Sequence, residues 1–175
     1  IIDNAAYLYG KGEITALVVI APNGVHRNWL KEIDIHMPEW CINQSFYYTS
    51  GMTKKRTEEY DKVFVSENNL KIFTFNVEAF TSPKAIYYMQ KILVSNKVML
   101  VVDESSRIKR PGAKRTKIIT KFGKQADYKR IMTGTPVTKG PEDVYSQFKF
   151  LDSQTLGYDS FYSFRARYCV MGGFE

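Results

Sequence analysis

The stretch Val98-Met99-Leu100-Val101-Val102-Asp103-Glu104 decides the fold that we expect for this chain. Its five apolar residues carry no charge, which predicts a strand buried on both faces, as in a parallel sheet. The run ends abruptly in two adjacent carboxylates. Because open α/β folds bind their ligands outside the carboxyl ends of the strands, the pattern predicts an acid pair at the ligand-binding edge of a sheet.

A second informative stretch, Arg130-Ile131-Met132-Thr133-Gly134-Thr135-Pro136, follows later in the sequence. It predicts another short strand that ends in a small, hydroxyl-bearing turn. At such an edge, one carboxylate can hold Mg²⁺, usually through water, while its neighbour orients or deprotonates an attacking water. The turn is then placed to sense the state of the acid pair. The two stretches in this order form a more specific signal than either does alone.

Length and composition indicate one folded domain. A chain of 175 residues with 44% hydrophobic and 14% aromatic residues can bury a core, which argues against disorder. No apolar run reaches the length of a membrane helix, and no signal peptide is visible. Cys41 and Cys169 are isolated, so we interpret them as reduced thiols of a cytoplasmic or otherwise intracellular protein. We assign no role to them, nor to His26 and His36.

The positive charge of the chain is concentrated in one segment. The net charge is +7, and the segment 105–125 contains eight bases and no acid, so the rest of the chain sums to −1. These bases are Arg107, Lys109, Arg110, Lys114, Arg115, Lys117, Lys121 and Lys124. Localised positive charge directly after the acid pair indicates a polyanionic partner.

Hydrophobic patterns and turn residues predict alternating helices and strands, and therefore a doubly wound parallel sheet. We predict strands at 17–20, 46–48, 70–75, 98–102 and 128–132. We predict helices at 1–9, 25–33, 53–68, 83–94, 113–124, 142–150 and 160–168. In the second helix, Val25, Trp29 and Ile33 share a face, so Trp29 is interpreted as a core residue.

The motifs resemble the first RecA-like lobe of superfamily 2 helicases, and most closely the SWI/SNF-type DNA translocases with their phage and bacterial relatives. Pro22, Asn28, Trp29 and Glu32 match motif Ia of that family. The segment 103–109 matches motif II, the Asp-Glu-x-His box with its trailing Arg-Ile-Lys, and 133–136 matches motif III. Residues 74–80 stand where motif Ib is expected, with a looser match. The resemblance implies a RecA-like lobe at 1–152, with 153–175 as a helical extension toward a second lobe.

The resemblance also implies the chemistry of the site. Asp103 would position Mg²⁺ on ATP, and Glu104 would activate water. Coupling between nucleotide state and the lobe interface would involve Ser106, Thr133, Gly134 and Thr135. Ser106 replaces the histidine that is common at the fourth position of the box, which puts this coupling in question while leaving the metal and water chemistry intact.

DNA is the partner that the resemblance implies, bound mainly through its phosphates, together with the second lobe of the same protein. The candidate DNA-binding residues are Pro22, Asn23, Arg27, Asn28, Thr74, Asn76, Arg107, Lys109, Lys114, Lys117 and Lys121. On a helix, Lys114, Lys117, Lys121 and Lys124 form one stripe, while Ile118, Ile119 and Phe122 form another. A solvated surface would explain the stripe, but it would not explain the missing acids.

One family element is absent from the sequence. No Gly-x-x-x-x-Gly-Lys-Ser/Thr occurs in the 175 residues, and residues 1–7 resemble the helix that directly follows a P-loop. We therefore expect the chain to begin just past that loop, with a gap or a rearranged core where the P-loop strand lies. We also expect the isolated chain to lack ATPase activity, while its parent protein has it.

A second hypothesis is a non-catalytic α/β module that binds nucleic acid or an acidic protein through its cationic face. The absent P-loop favours it, whereas the adjacent carboxylates at a strand end favour the motor. A P-loop encoded directly upstream of Ile1 would decide between the two. A phospho-receiver domain shares the parallel sheet, but it requires an acid pair near the start of the chain, where only Asp3 is found.

Overall fold

The computed structural model describes residues 1–169 as alternating helices and strands. The strands are β1 (Ala16–Ala21), β2 (Asn43–Tyr47), β3 (Leu70–Asn76), β4 (Val98–Val102) and β5 (Tyr128–Ile131). The helices are α1 (Ile2–Gly10), α2 (Val25–His36), α3 (Lys54–Val65), α4 (Pro83–Ser95), α5 (Lys114–Gly123), α6 (Glu142–Leu151) and α7 (Phe161–Tyr168). Two short 3₁₀ turns, Val77–Thr81 and Ser105–Ile108, follow β3 and β4.

The five strands form one sheet in the order β2-β3-β1-β4-β5, and every neighbouring pair is parallel. The predicted parallel α/β fold is confirmed. Since all strands run the same way, the residues that follow β1, β3, β4 and β5 lie at the same edge of the sheet.

Helices cover both faces of the sheet. Strand β1 shows why, because Leu17 and Val19 face a core with α1 and α2, while Val18 and Ile20 face a core with α3, α4, α5 and α6. All six residues of β1 and all five of β4 are buried. Uninterrupted apolar runs suit these central strands because each side chain meets a helix, whichever face it occupies.

The sheet has no interior gap within residues 1–169. The strands follow one another without interruption from β2 to β5, and β5 forms an edge whose four residues are all half-buried. The expected interior gap is therefore not found among the described strands, because β4 pairs directly with β5. The alternative, a rearranged core, stays a prediction.

Two helix predictions need correction. In α2, His26, Trp29 and Ile33 are buried, whereas Val25 is 37% exposed. At about 100° per residue, positions eight apart differ by about 80° around the axis, so Val25 turns away from the core that Ile33 enters. Helix α3 ends at Val65 rather than 68, and Asn68 adopts a left-handed backbone with φ 57°.

The predicted extension at 153–175 contains α7, which packs on α6 through Phe161 and Phe164 against Tyr145. Residues 170–175 of that prediction lie outside the described residues. The division at residue 152 and the direction of the extension toward a second lobe remain predictions. Within residues 1–169, no helix combines the length and apolar character needed to span a bilayer.

Helices α5 and α6 approach closely at Gly123, and this contact gives a test of the packing. A Cβ atom at Gly123 would lie 2.8 Å from Cδ2 and 3.1 Å from the carbonyl oxygen of Phe150. We expect Gly123→Ala to lower the free energy of unfolding by about 1–3 kcal/mol, because the backbones must separate. Gly112→Ala is the control, since nothing lies within 4 Å of its added Cβ. Equal stability of the two variants in urea titrations would contradict this packing.

Candidate active site

Backbone hydrogen bonds join the ends of β4 and β5. The N–H of Asp103 donates to the carbonyl of Ile20 at 2.8 Å, which extends the pairing of β4 with β1 by one residue. The N–H of Met132 donates to Val102 at 2.9 Å, and the N–H of Ser105 donates to Met132 at 2.9 Å. Motif II and motif III therefore begin side by side at the carboxyl edge of the sheet.

The carboxylate of Asp103 is held by two donors. Its Oδ2 accepts a hydrogen bond from the indole Nε1 of Trp29 at 2.9 Å, and its Oδ1 accepts one from the N–H of Glu104 at 2.8 Å. Trp29 is buried, as predicted, but it also orients the acid. The helical spacing indicated only burial, because nothing in a periodic pattern shows where an indole N–H points.

Glu104 occupies an uncommon backbone conformation and contacts motif III. Its φ and ψ are 48° and 56°, in the left-handed region that non-glycine residues rarely adopt and that clusters at functional sites. Its Oε2 accepts a hydrogen bond from the hydroxyl of Thr133 at 3.2 Å. The same hydroxyl accepts a hydrogen bond from the N–H of Thr135 at 3.1 Å. One carboxylate of the pair is thus joined directly to the Thr-Gly-Thr turn.

A second connection runs through Ser105. This residue is fully buried, and its hydroxyl donates to Oε1 of Gln147 on α6 at 2.5 Å. The amide of Gln147 donates in turn to the carbonyls of Pro136 at 2.8 Å and Asp143 at 2.9 Å. Motif II, motif III and α6 therefore share one buried hydrogen-bond network.

Ser106, the predicted coupling residue of the box, takes no part in this network. Its side chain forms no hydrogen bond to any residue between 1 and 169. The chain enters a 3₁₀ turn at Ser105, which sends the first serine inward and leaves the second half-buried at the surface. In this structure it is the side chain of Ser105, not that of Ser106, that bonds Gln147 and through it reaches Pro136. The coupling role of Ser106 stays a prediction.

The ammonium group of Lys109 forms an ion pair with the buried carboxylate of Asp143. Its ammonium lies 3.3 Å from Oδ2 of Asp143, which is 6% exposed, and also donates to the hydroxyl of Thr138. The same oxygen accepts from Thr138 N–H at 2.8 Å and from Lys139 N–H at 3.0 Å. Burial alone would raise the pKa of Asp143, but these donors, those of Thr138 first, hold it well below its usual value. The charge of Lys109 therefore helps to hold the loop after motif III against α6, and its DNA contact stays a prediction.

The other candidate DNA-binding residues differ in exposure: two are buried, Asn76 is partly buried, and the rest are exposed. Thr74 is fully buried within β3 and Pro22 is buried before α2, so their side chains are not available to a partner, and we correct both predictions. Asn76 accepts a hydrogen bond from the N–H of Ala79 at 2.6 Å and caps the following 3₁₀ turn. The exposed candidates are Asn23, Arg27, Asn28, Arg107, Lys114, Lys117 and Lys121.

A cavity of about 440 Å³ lies between the first residues of α1, one side of α2 and Met132. Its lining includes Trp29, which donates to Asp103, but not the acid pair itself. Asp103 is suited to bind the metal ion of a metal–nucleotide complex. Asp103 is partly exposed, and each of its oxygens accepts one hydrogen bond, which leaves lone pairs for a metal-bound water. No group of three or more metal-binding side chains occurs within residues 1–169. Mg²⁺ keeps several waters and takes one or two carboxylates together with phosphates, so a single oriented carboxylate such as Asp103 can serve it. The 175 residues contain no P-loop that could bind the triphosphate.

The parallel sheet that presents an Asp–Glu pair against a Thr-Gly-Thr turn has a RecA-like α/β fold. The model of the SNF2-related domain matches residues 2–169, and the chain belongs to that family. Two solved structures support the fold. The SWI2/SNF2 ATPase core of Sulfolobus solfataricus in complex with dsDNA has a TM-score of 0.64 at 20% identity, covering 93% of this chain and 30% of that one. A second structure, of the SWI2/SNF2 ATPase core domain of Sulfolobus solfataricus, has a TM-score of 0.63 at 21% identity, covering 93% of this chain and 29% of that one.

Curated relatives show the same family. The chain is 25% identical over 154 residues to the SWI/SNF-related matrix-associated actin-dependent regulator of chromatin subfamily A-like protein 1 homolog of Caenorhabditis elegans, covering 87% of this chain and 20% of the relative. It is 26% identical over 144 residues to the helicase-like transcription factor of Mus musculus, covering 80% and 13%. The chain therefore spans a fifth or less of the length of these two relatives. The resemblance to SNF2-family helicases is confirmed.

The Asp143 network predicts a pH dependence of stability. Because the pKa of Asp143 is lower in the folded chain than in the unfolded chain, its contribution is complete above the unfolded-state pKa of about 4 and is lost as the pH falls through the folded-state pKa. We expect Asp143→Asn to cost about 1–3 kcal/mol at pH 7, and the difference from wild type to narrow below about pH 4.

Chemical unfolding of both proteins from pH 7 to pH 3 measures this difference. Asp34→Asn, at an exposed position of α2, serves as the control and should stay within about 0.5 kcal/mol of wild type. A pH-independent difference for Asp143→Asn would show that the carboxylate charge does not hold the loop.

Proposed function

We propose that this chain is the first motor lobe of a SNF2-family protein that couples hydrolysis of Mg-ATP to movement on DNA, from the phage or bacterial branch of the family. The observation that carries the proposal is the acid pair at the carboxyl edge, with each carboxylate oriented by its own donor. Asp103 is held by Trp29 on motif Ia, and Glu104 is held by Thr133 on motif III. A solvated acidic turn has no need of either contact.

The two carboxylates have different tasks in this proposal. Bound Mg-ATP supplies the phosphoryl group that is transferred to water. Asp103, fixed by the Trp29 indole, would help to hold Mg²⁺ when Mg-ATP is bound. Glu104 accepts a proton from the attacking water, and its contact with Thr133 gives motif III a direct response to that event.

Coupling to motion would use the buried network behind the acid pair. Gln147 is bonded both to Ser105 of the box and to the carbonyl of Pro136 in motif III. A shift of the box therefore moves the turn and α6 together. Thr133, Gly134 and Thr135 would carry the nucleotide state to a second RecA-like lobe.

The exposed candidates would contact DNA phosphates. Arg27 and Asn28 lie on the outer side of α2, and Arg107 lies next to the acid pair. Lys114, Lys117 and Lys121 extend the positive surface along α5. The solved Sulfolobus relative binds dsDNA, which supports the same partner here. Such contacts are independent of sequence and sensitive to salt. Action on DNA would place the protein inside the cell.

Hydrolysis would require a longer chain than these 175 residues. They contain no P-loop, so the nitrogen cradle, the lysine and the Mg²⁺-binding hydroxyl must come from elsewhere in the protein. We propose that the isolated chain is inactive as an ATPase. The alternative, a non-catalytic basic module, would account for the cationic surface of α5. It would not explain why Glu104 adopts an uncommon left-handed backbone conformation.

The acid pair gives the test of this proposal. In the full-length protein, Glu104→Gln should lower DNA-stimulated ATP hydrolysis by about 10²- to 10⁴-fold, since the amide cannot accept the proton of the attacking water. Nucleotide binding should persist, because Asp103 and its Trp29 contact are unchanged. Steady-state phosphate release and nucleotide binding measure the two effects.

Glu58→Gln, at an exposed position of α3, changes the net charge by the same amount and should keep full activity. Near-normal turnover of Glu104→Gln would remove Glu104 as the general base. Absence of ATP hydrolysis from the unmodified full-length protein, with DNA present, would favour the non-catalytic module.

A further inference from the structure

A second cavity, of about 330 Å³, opens on the outer side of α5, between α5, α6 and the start of α7. Its walls include Lys117, Lys121 and Lys124 from α5 and its C-terminal cap, and Lys149 from α6. None of its lining residues belongs to the cavity formed by α1, α2 and Met132. We refer to it as the lysine cleft.

The four lysines of the cleft have no acidic partner. No aspartate or glutamate lines it, and none of the four forms a salt bridge within residues 1–169. Lys149 donates only to neutral acceptors, the hydroxyl of Tyr145 at 3.1 Å and the carbonyl of Asp159 at 3.3 Å. Four positive charges around one concave surface attract anions and repel one another in their absence.

Two buried hydroxyls in the wall of the cleft also lack partners. Thr116 on α5 and Ser146 on α6 are each 2% exposed, and neither hydroxyl has a hydrogen-bond partner in the described part of the chain. A buried hydroxyl without a partner costs free energy, and such groups are rare in native structures. Of the eight buried side-chain atoms without a partner in residues 1–169, these two belong to residues that line the lysine cleft, so a ligand seated there would bring them an acceptor.

We propose that the lysine cleft binds a phosphate monoester, with its oxygens accepting from the Thr116 and Ser146 hydroxyls and its charge balanced by the lysine ammoniums. The volume suits a small ligand. A concave site of this size has room for a phosphate group together with part of the molecule that carries it, whereas the DNA contact predicted for Lys114, Lys117 and Lys121 needs an exposed stripe. The phosphate belongs either to a free phosphorylated compound or to the end of a nucleic acid strand. This inference does not depend on ATP hydrolysis by the protein.

Thermal unfolding with inorganic phosphate as the probe tests the cleft. We expect phosphate to raise the Tm of the 175-residue chain above its value in sodium chloride of the same ionic strength. Thr116→Val and Ser146→Ala remove the unpaired hydroxyls, so each should keep or raise the Tm in chloride. Each should also weaken phosphate binding about tenfold, the effect of one hydrogen bond to a charged group. A purely structural role of these hydroxyls would lower the Tm in both salts.

A charge-matched pair of variants separates specific binding from general attraction. Lys121→Gln with Lys149→Gln should abolish the phosphate-dependent rise in Tm. Lys54→Gln with Lys55→Gln, at exposed positions of α3, removes the same charge elsewhere and should preserve the rise. An equal loss in both double variants, or no rise in the unmodified chain, would overturn the proposal.

Two oligonucleotides identify the source of the phosphate. A single strand with a 5′-phosphate and the same strand with a 5′-hydroxyl are compared by fluorescence anisotropy. Tighter binding of the phosphorylated strand, lost in Lys121→Gln with Lys149→Gln, supports a strand end as the ligand. Equal binding of the two strands, together with a rise in Tm from inorganic phosphate, supports a free phosphorylated compound.

Discussion

The structure depends on the junction at which β4 and β5 end together. The N–H of Met132 donates to the carbonyl of Val102, and the N–H of Ser105 donates to the carbonyl of Met132. The backbones of motif II and motif III are therefore hydrogen-bonded to each other directly beyond the two strands. This parallel register sets the positions of the acid pair and the Thr-Gly-Thr turn. A slip of one residue would turn each side chain to the opposite face, and Thr133 would no longer meet Glu104.

Helix α6 makes this junction a single unit. Gln147 binds motif II and motif III from one side of the helix, while Asp143 in the first turn binds Lys109 and the loop at Thr138. The outer side of α6 carries Ser146 and Lys149 into the lysine cleft. One helix therefore lies between the proposed hydrolysis site and the proposed phosphate site. Because fully satisfied buried networks are rigid, the unit is expected to move as one body.

Much of this arrangement could be predicted from the sequence, because it depends on patterns that extend along the chain. The apolar run 98–102 predicts a central strand, and the repeated exchange of strand and helix patterns predicts the parallel sheet. The stripe of lysines on α5 is exposed, as its spacing indicates. The position of the acid pair at the sheet edge follows from the same reasoning.

The contacts of single side chains could not be predicted in this way. Trp29 serves as both a core residue and a donor to Asp103, and periodicity reveals only the first role. Ser105 and Ser106 are equivalent by composition, and only the 3₁₀ turn after Glu104 decides which one is buried. Thr74 and Lys109 are both predicted from the sequence to contact DNA, but Thr74 is fully buried and Lys109 forms an ion pair with Asp143. Such outcomes depend on tertiary neighbours that lie far away in the sequence.

The central claim is that motif II, motif III and α6 form one hydrogen-bonded unit. A double-mutant cycle on Ser105→Ala and Gln147→Met, followed by urea unfolding, tests it most directly. Each single change should destabilise the chain by leaving a buried partner unsatisfied, and the double change should cost less than the sum by about 1–3 kcal/mol. Additivity of the two changes within about 0.5 kcal/mol would show that the residues are not coupled, and would contradict the account.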